Sequence, residues 1–233
     1  MPGSGALRLP SRTLVITAAA VPLALAVLAD DVRVRRQLHT ARRDSLTGLP
    51  GRDILMDRID RLAHTRRELL HVLVADADGL KAVNDTLGHA AGDALIATIG
   101  RRLNAWAAAR GGLAARLGGD EFGVALLLPR ADAVREVLAL RELLAQPVHH
   151  DGQPLRDLEG QMLRPAVSLG IARASDLPDG AGASRILRGA DVAMYRVKTG
   201  QQPPGYVATR QDAYTPAVHG RRPGRPGTHL PVA

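Results

Sequence analysis

Along residues 44–202 the spacing of apolar positions switches repeatedly between a helical and an extended period. Residues 52–67 place Ile54, Leu55, Ile59 and Leu62 on one face, which predicts an amphipathic helix. Residues 70–76 (LHVLVAD) form a short apolar run, the pattern of a buried strand, and residues 77–80 read as a turn. A long helix follows at 90–110, with Leu95, Ile96, Ile99, Leu103 and Trp106 facing inward. Two extended runs, 113–117 and 121–128, flank Gly118-Gly119 and predict a hairpin. A helix at 133–145, a strand at 164–172 and a helix capped by Ser184 and running to residue 198 complete the series. Ile186, Ala190, Met194 and Val197 make the buried stripe of that last helix. The order of elements implies an α/β (α+β) fold with a mostly antiparallel sheet flanked by helices.

The flanks differ from this middle part. Residues 14–29 carry no charge across sixteen positions. As a helix they would span roughly 24 Å, short of the roughly 30 Å apolar core of a bilayer. Snorkelling of Arg12 and local thinning could cover the gap. Arg8 and Arg12 precede the run, and Arg33, Arg35, Arg36, Arg42 and Arg43 follow it. The expectation is an N-terminal segment (1–13), a single transmembrane helix (14–29) and a linker helix (30–43). The positive-inside rule then sets the following domain on the cytoplasmic, inner face of a bacterial membrane. A cleaved signal peptide is the competing reading of the same run. Residues 203–233 are rich in Pro, Gly and Arg and are expected to be a disordered tail.

Charge follows the same division. The net +8 of the chain lies outside 44–202, where 20 basic and 20 acidic residues cancel. The first 43 residues contribute +5 and the tail +3. With 2% aromatic residues and a neutral middle, specific nucleic-acid binding is not expected, although the basic flanks keep weak binding as a lesser reading. Cysteine is absent, which excludes disulfides and thiolate metal sites. Lys81 and Lys198 are the sole lysines beside 29 arginines, so a compact ammonium has been kept at two positions.

Candidate chemistry gathers at two places. Asp76 ends a buried strand with Asp78 two residues on, and Asp120 and Glu121 sit at the glycine hairpin. If the two strands are neighbours, four carboxylates meet at one edge. Their mutual repulsion calls for a cation. Magnesium suits such a place because it takes one or two carboxylates and keeps its other positions for water and phosphate.

Here the sequence resembles a family. Gly118-Gly119-Asp120-Glu121-Phe122 spells GGDEF, the signature of diguanylate cyclases. Asp44-Ser45-Leu46-Thr47-Gly48-Leu49 resembles the opening D-x-L-T-G-L, and residues 76–85 resemble D-x-D-x-F-K-x-x-N-D. Gly88-His89-Ala90-Ala91-Gly92-Asp93, Ser168-Leu169-Gly170 and the run 190–198 complete the set in order. The resemblance covers 44–202 and implies a palm-like, ferredoxin-type core.

The resemblance also implies an activity: condensation of two GTP into cyclic di-GMP and two pyrophosphates, with Mg2+ or alternatively Mn2+, by a homodimer. It assigns Asp76, Asp120 and the carbonyl of Ala77 to the metal, and Asp120 to deprotonation of the ribose 3′-hydroxyl with support from Glu121. Asn84 and Asp93 would read guanine, since a carboxylate accepts from N1–H and N2–H while an amide donates to the base edge. Lys81, Lys198 and the backbone of Asp78, Gly79 and Leu80 would hold phosphates. Gly118 and Gly119 would let the hairpin approach the nucleotide.

Departures from the pattern are informative. Gly51 stands where the family has Asn, and Leu80 where it has Phe. Residues 199–202 lack the arginine of K-x-x-G-R-N. The R-x-x-D product-inhibition site is absent, with Ala109 and Gly112 at its two positions. The alternative function is therefore a catalytically weak or inactive GGDEF domain that binds GTP or a protein partner. His149-His150 and His89 read as solvated or structural, and Arg116 is expected to pair with a nearby acid.

Overall fold

The computed structural model describes residues 43–150 and 152–215. In chain order the elements are α1 (Arg52–Thr65), β1 (Leu70–Asp78), α2 (Leu80–Leu87), α3 (His89–Ala108), β2 (Leu113–Gly118) and β3 (Glu121–Leu127). They continue with α4 (Ala133–Leu144), the two-residue strands β4 (His149–His150) and β5 (Gln153–Pro154), β6 (Ala166–Arg173) and α5 (Ala183–Lys198). The main sheet runs β2-β3-β1-β6 with every pairing antiparallel. This is the ferredoxin-type order expected from the sequence: each helical connection skips one strand, which its neighbour then fills.

Alternation along the strands builds two cores. Leu73 and Ala75 of β1, Phe122, Val124 and Leu126 of β3, and Leu169 and Ile171 of β6 pack against α3 and α4. Val72 and Val74, with Ala125 and Ala172, pack on the other face against Leu55 and Ile59 of α1 and Ile186, Ala190 and Met194 of α5. The approach of α5 is close enough to need glycine in β6. A Cβ at Gly170 would lie 2.0 Å from the Met194 nitrogen and 2.3 Å from the Ala190 oxygen.

Several elements differ from the sequence expectation. β1 continues through Ala77 and Asp78, because Val167 and Ala166 of β6 pair with them. Residues beyond the turn form α2, whose flanking Gly79 (φ +72°) and Gly88 (φ +85°) take left-handed conformations that favour glycine. Ser184 does not cap α5: the helix starts at Ala183, and Asp60 of α1 accepts a hydrogen bond from the Ala183 amide at 2.7 Å.

The tail expected to be disordered from residue 203 is folded as far as residue 215. Ala208 N–H donates to the Ile171 carbonyl at 2.7 Å, and Val207 forms a parallel bridge to Ile171 on the edge of β6. Asp212 is fully buried beneath it. It lies 2.7 Å from Arg196 Nη2 and accepts hydrogen bonds from the Tyr206 hydroxyl, the Thr209 amide and the Thr209 hydroxyl. The reason is long-range pairing that composition does not register.

The membrane placement is also corrected. Among the described residues no helix is long and apolar enough to cross a membrane. The longest of them, α3, carries Asp93, Arg101 and Arg102 and buries its apolar face on the sheet. The segments 1–13, 14–29 and most of 30–43, with residues 216–233, lie outside the described residues. Nothing in the described residues supports the expected inner-membrane localisation.

Candidate active site at the β1–β3 end of the sheet

β1 carries the first two acids. Asp76 and Asp78 are two residues apart and share the face of Val72 and Val74, toward α5. In the ladder Asp76 is opposite Glu121 of β3 on one side and Ser168 of β6 on the other. The turn between β2 and β3 brings the next acid in. Gly118 (φ +149°) and Gly119 (φ +53°) adopt backbone angles that L side chains rarely take, and Asp120 follows. The Ala77 amide donates to the Asp120 carbonyl at 3.1 Å, so the hairpin tip is bonded directly to the end of β1. Asp76 and Asp120 are both buried. Phe122 is fully buried in the α3 and α4 core, where it anchors the start of β3.

The charges of these acids act on one another. Burial pushes the Asp76 carboxyl above its ordinary value. Lys198 opposes the rise, and the negative charges of Asp120 and Asp78 reinforce it. Lys198, the last residue of α5, reaches over the cluster: its Nζ lies 2.5 Å from Asp76 Oδ1 and 3.5 Å from Asp78 Oδ1. Burial alone would lower the Lys198 ammonium, but the hydrogen bond and charge of Asp76, with Asp78, hold it above its usual value. Asp78 Oδ2 accepts from the Ser168 hydroxyl at 2.8 Å, while the buried Asp78 Oδ1 accepts no hydrogen bond.

A second group lies on α2 and α3. Lys81 is exposed on the first turn of α2, and Asn84 sits one turn further on. α3 begins at His89 and brings Gly92 against Asn84, where a Cβ would fall 1.9 Å from Asn84 Oδ1. Asp93, next in the chain, is exposed. Asn84 thus meets the residue that precedes Asp93 across one helix pair. The Asp78–Leu80 backbone links this pair to the carboxylate cluster.

The hairpin is also braced from behind. Arg116 Nη1 lies 2.8 Å from both carboxylate oxygens of Asp44, and its Nε and Nη2 donate to the Gly119 carbonyl at 3.0 and 2.6 Å. Asp44 accepts from the amide and hydroxyl of Thr47 as well. Burial would raise the Asp44 carboxyl, but the Thr47 and Arg116 bonds outweigh it and hold it below the usual range. The acid expected beside Arg116 is therefore Asp44, 72 residues away. The bond of Ser168, a motif residue without an assigned role, to Asp78 and the Lys198–Asp76 pair go beyond the sequence reading; both depend on β6 and α5 folding back beside β1.

Among the described residues, no group of three or more His, Cys, Asp or Glu side chains is gathered as a metal site. Magnesium binds through one or two carboxylates plus substrate phosphates rather than in an all-protein cage. Asp76, Asp120 and the Ala77 carbonyl offer oxygen donors only, and Asp78 Oδ1, 3.5 Å from Lys198 Nζ, is a further acceptor on the same strand. By donor chemistry these oxygens would suit such an ion. Where an inhibitory aspartate would stand, Gly112 is closed in: a Cβ there would lie 2.8 Å from Leu126 Cβ and 3.1 Å from the Ala125 oxygen. Arg110 is engaged elsewhere, paired with Glu136 at 2.7 Å and stacked 4.5 Å over Trp106.

Comparison with known proteins identifies the family. The family described as diguanylate cyclase, GGDEF domain, matches residues 41–203. An uncharacterised 19.3 kDa protein of Streptomyces ambofaciens is 42% identical over 163 residues, covering 70% of this chain and 81% of that protein. Diguanylate cyclase TpbB of Pseudomonas aeruginosa is 37% identical over 163 residues, or 69% of this chain, and the chain spans 36% of TpbB's length. The solved GGDEF domain of that same protein (PA1120) superposes with a TM-score of 0.61 at 36% identity, over 73% of this chain and 96% of the domain. A signature hairpin bonded to the acid-bearing strand, a matching fold and a family match over most of the chain agree: this chain belongs to the GGDEF diguanylate cyclase family.

Proposed function

We propose that the chain is a diguanylate cyclase that condenses two GTP into cyclic di-GMP and two pyrophosphates. The observation that carries this reading is the meeting of Asp76 and Asp120, 44 residues apart in sequence, through the Ala77–Asp120 hydrogen bond. The relatives named as diguanylate cyclases share this stretch, which supports it.

Asp76, Asp120 and the Ala77 carbonyl would hold Mg2+ or Mn2+, with Glu121 supporting them from the opposite strand. When bound, the ion supplies positive charge to the phosphates and makes a nearby hydroxyl more acidic. Asn84 and Asp93 bind the guanine edge; adenine lacks the N1–H and N2–H donors that a carboxylate needs. Lys81, Lys198 and the Asp78, Gly79 and Leu80 backbone bind the triphosphate. Gly118 and Gly119 keep the hairpin clear of side chains beside the nucleotide. Asp120 takes the proton of the 3′-hydroxyl as its oxygen attacks an α-phosphate, and pyrophosphate leaves. One domain presents one GTP, so turnover needs two copies facing each other. With Gly112 enclosed and Arg110 engaged, cyclic di-GMP does not inhibit through the R-x-x-D position.

The test is incubation of the full chain with GTP and Mg2+, following cyclic di-GMP and pyrophosphate, beside Asp120→Ala. The variant is expected to lose activity by about 10²–10⁴-fold, the usual contribution of a positioned base. A second reading, a GTP-binding module without turnover, is favoured by the missing arginine after Lys198, where Thr199–Gln202 stand instead. Nucleotide bound at saturation with no product from the wild type would establish that reading and end the first.

A further inference from the structure

The cation that neutralises the acid cluster is a side chain of this protein. We propose that Lys198 competes with the divalent metal for Asp76, so that the domain takes up metal together with nucleotide rather than ahead of it. The inference rests on the reading of Asp76 as a metal ligand.

Lys198 Nζ lies 2.5 Å from Asp76 Oδ1. A divalent ion bound to that oxygen would sit at about 2.0–2.1 Å from it. Two cations cannot crowd onto one carboxylate oxygen without strong repulsion, so the ammonium must move before the metal is ligated there. The structure gives it the means. Lys198 ends α5 and is followed by Thr199 and Gly200 (φ +71°), so its flexible stem is rooted at a helix end. Its side chain is 33% exposed, against 5% for Asp76, so the head can swing outward while the acid cannot follow.

Asp78 completes the device. The Ser168 hydroxyl fixes one of its oxygens at 2.8 Å, and the other lies 3.5 Å from Lys198 Nζ with no hydrogen bond of its own. Asp78 therefore holds the ammonium near Asp76 while leaving it loosely bound on that side. A triphosphate offers Lys198 a stronger anionic partner. Transfer of the ammonium to phosphate vacates Asp76 Oδ1, and by linkage metal in turn favours nucleotide.

The test measures Mn2+ binding to the nucleotide-free full chain by the paramagnetic resonance signal of free Mn2+. Lys198→Met keeps the stem and removes the charge; it is expected to bind Mn2+ about tenfold more tightly than wild type, a typical coupling. Lys198→Gln should behave alike, and Lys198→Arg should stay near wild type. Asp76→Asn in the Lys198→Met background should abolish the gain. Equal Mn2+ affinity in wild type, Lys198→Met and Lys198→Gln would overturn the competition. If Asp76→Asn leaves tight Mn2+ binding intact, the metal reading of Asp76 itself fails. If Asp76→Asn removes binding but Lys198→Met does not tighten it, the site stands and the competition is wrong.

Discussion

Arg116 grips Asp44 with a single nitrogen shared between both carboxylate oxygens, and turns its other two nitrogens to the Gly119 carbonyl. The opening motif of the domain is thereby tied to the tip of the signature hairpin. Arg116→Lys keeps the charge but loses the planar fork. It is expected to cost about 1–3 kcal/mol of stability, because the pair is mostly shielded from solvent. It should also lower kcat, because Gly119 is left without its brace. Thermal melts and initial rates check both; a variant equal to wild type in each would show the clamp to be idle.

Two glycines should respond in opposite ways to a single methyl group. At Gly170 the obstructing atoms are backbone of α5, so Gly170→Ala must push the helix off the sheet and is expected to cost on the order of 3 kcal/mol. At Gly92 the obstructing atom is the end of the Asn84 side chain, which can turn away. Gly92→Ala should therefore keep a near-normal melting temperature. Its KM for GTP should rise by about tenfold, the loss of roughly one hydrogen bond. A large drop in stability for Gly92→Ala would mean that Asn84 has a packing role instead.

His71 gives the fold a pH dependence. It is fully buried on β1, with Nδ1 bonded to the Leu69 carbonyl at 2.9 Å and Nε2 facing Arg173 Nε at 3.2 Å. The ring is therefore neutral, donating from Nδ1 and accepting at Nε2. Burial above all, with the Arg173 charge adding to it, holds its pKa below the ordinary 6.5, against the opposing effect of the Leu69 bond. Below pH 6.5 the unfolded chain binds a proton that the folded chain refuses. The stability is thus complete above 6.5 and is lost as the pH falls toward the native value. Melting temperature should fall between pH 7.5 and 5.5 in the wild type. His71→Leu should start lower, since Arg173 loses its acceptor, and show a flatter slope over the same range. An equal slope in both would assign the effect to other groups.

Asp212 tests whether the segment after residue 202 belongs to the domain. Its carboxylate is fully buried among Arg196, Tyr206 and Thr209. Asp212→Ala takes the shared acceptor from the Tyr206 hydroxyl and both Thr209 donors and the counter-charge from Arg196, and is expected to cost about 2–3 kcal/mol, since bonds to a charged group are the stronger kind. Ending the chain at residue 202 should cost at least as much. Denaturant titration of both forms would measure it, and unchanged midpoints would reduce the segment to a passive cover.

Much of this site could be read before folding was known, and the reason is locality. The LHVLVAD run, the Gly118-Gly119 turn and the apolar stripe of α3 each announce themselves within a dozen residues. What stayed hidden depends on partners far along the chain. Asp78 belongs to a strand because Ala166 pairs with it, and α5 is capped by Asp60, 123 residues earlier. α2 is eight residues between two glycines, too short for its periodicity to stand out. Lys198 was expected at a phosphate, and its bond to Asp76 depends on where α5 ends relative to β1. Residues 203–215 have the composition of a loose tail, yet Tyr206 and Asp212 fix them.

Both outer strands of the four-stranded sheet meet chain from outside it. On β2 the Arg116 amide donates to the Pro50 carbonyl, and on β6 the Ile171 carbonyl accepts from Ala208. An extended segment arriving from another molecule would have to dislodge one of these before it could lengthen the ladder. Each rim is thereby partly blunted against edge-to-edge pairing at that point.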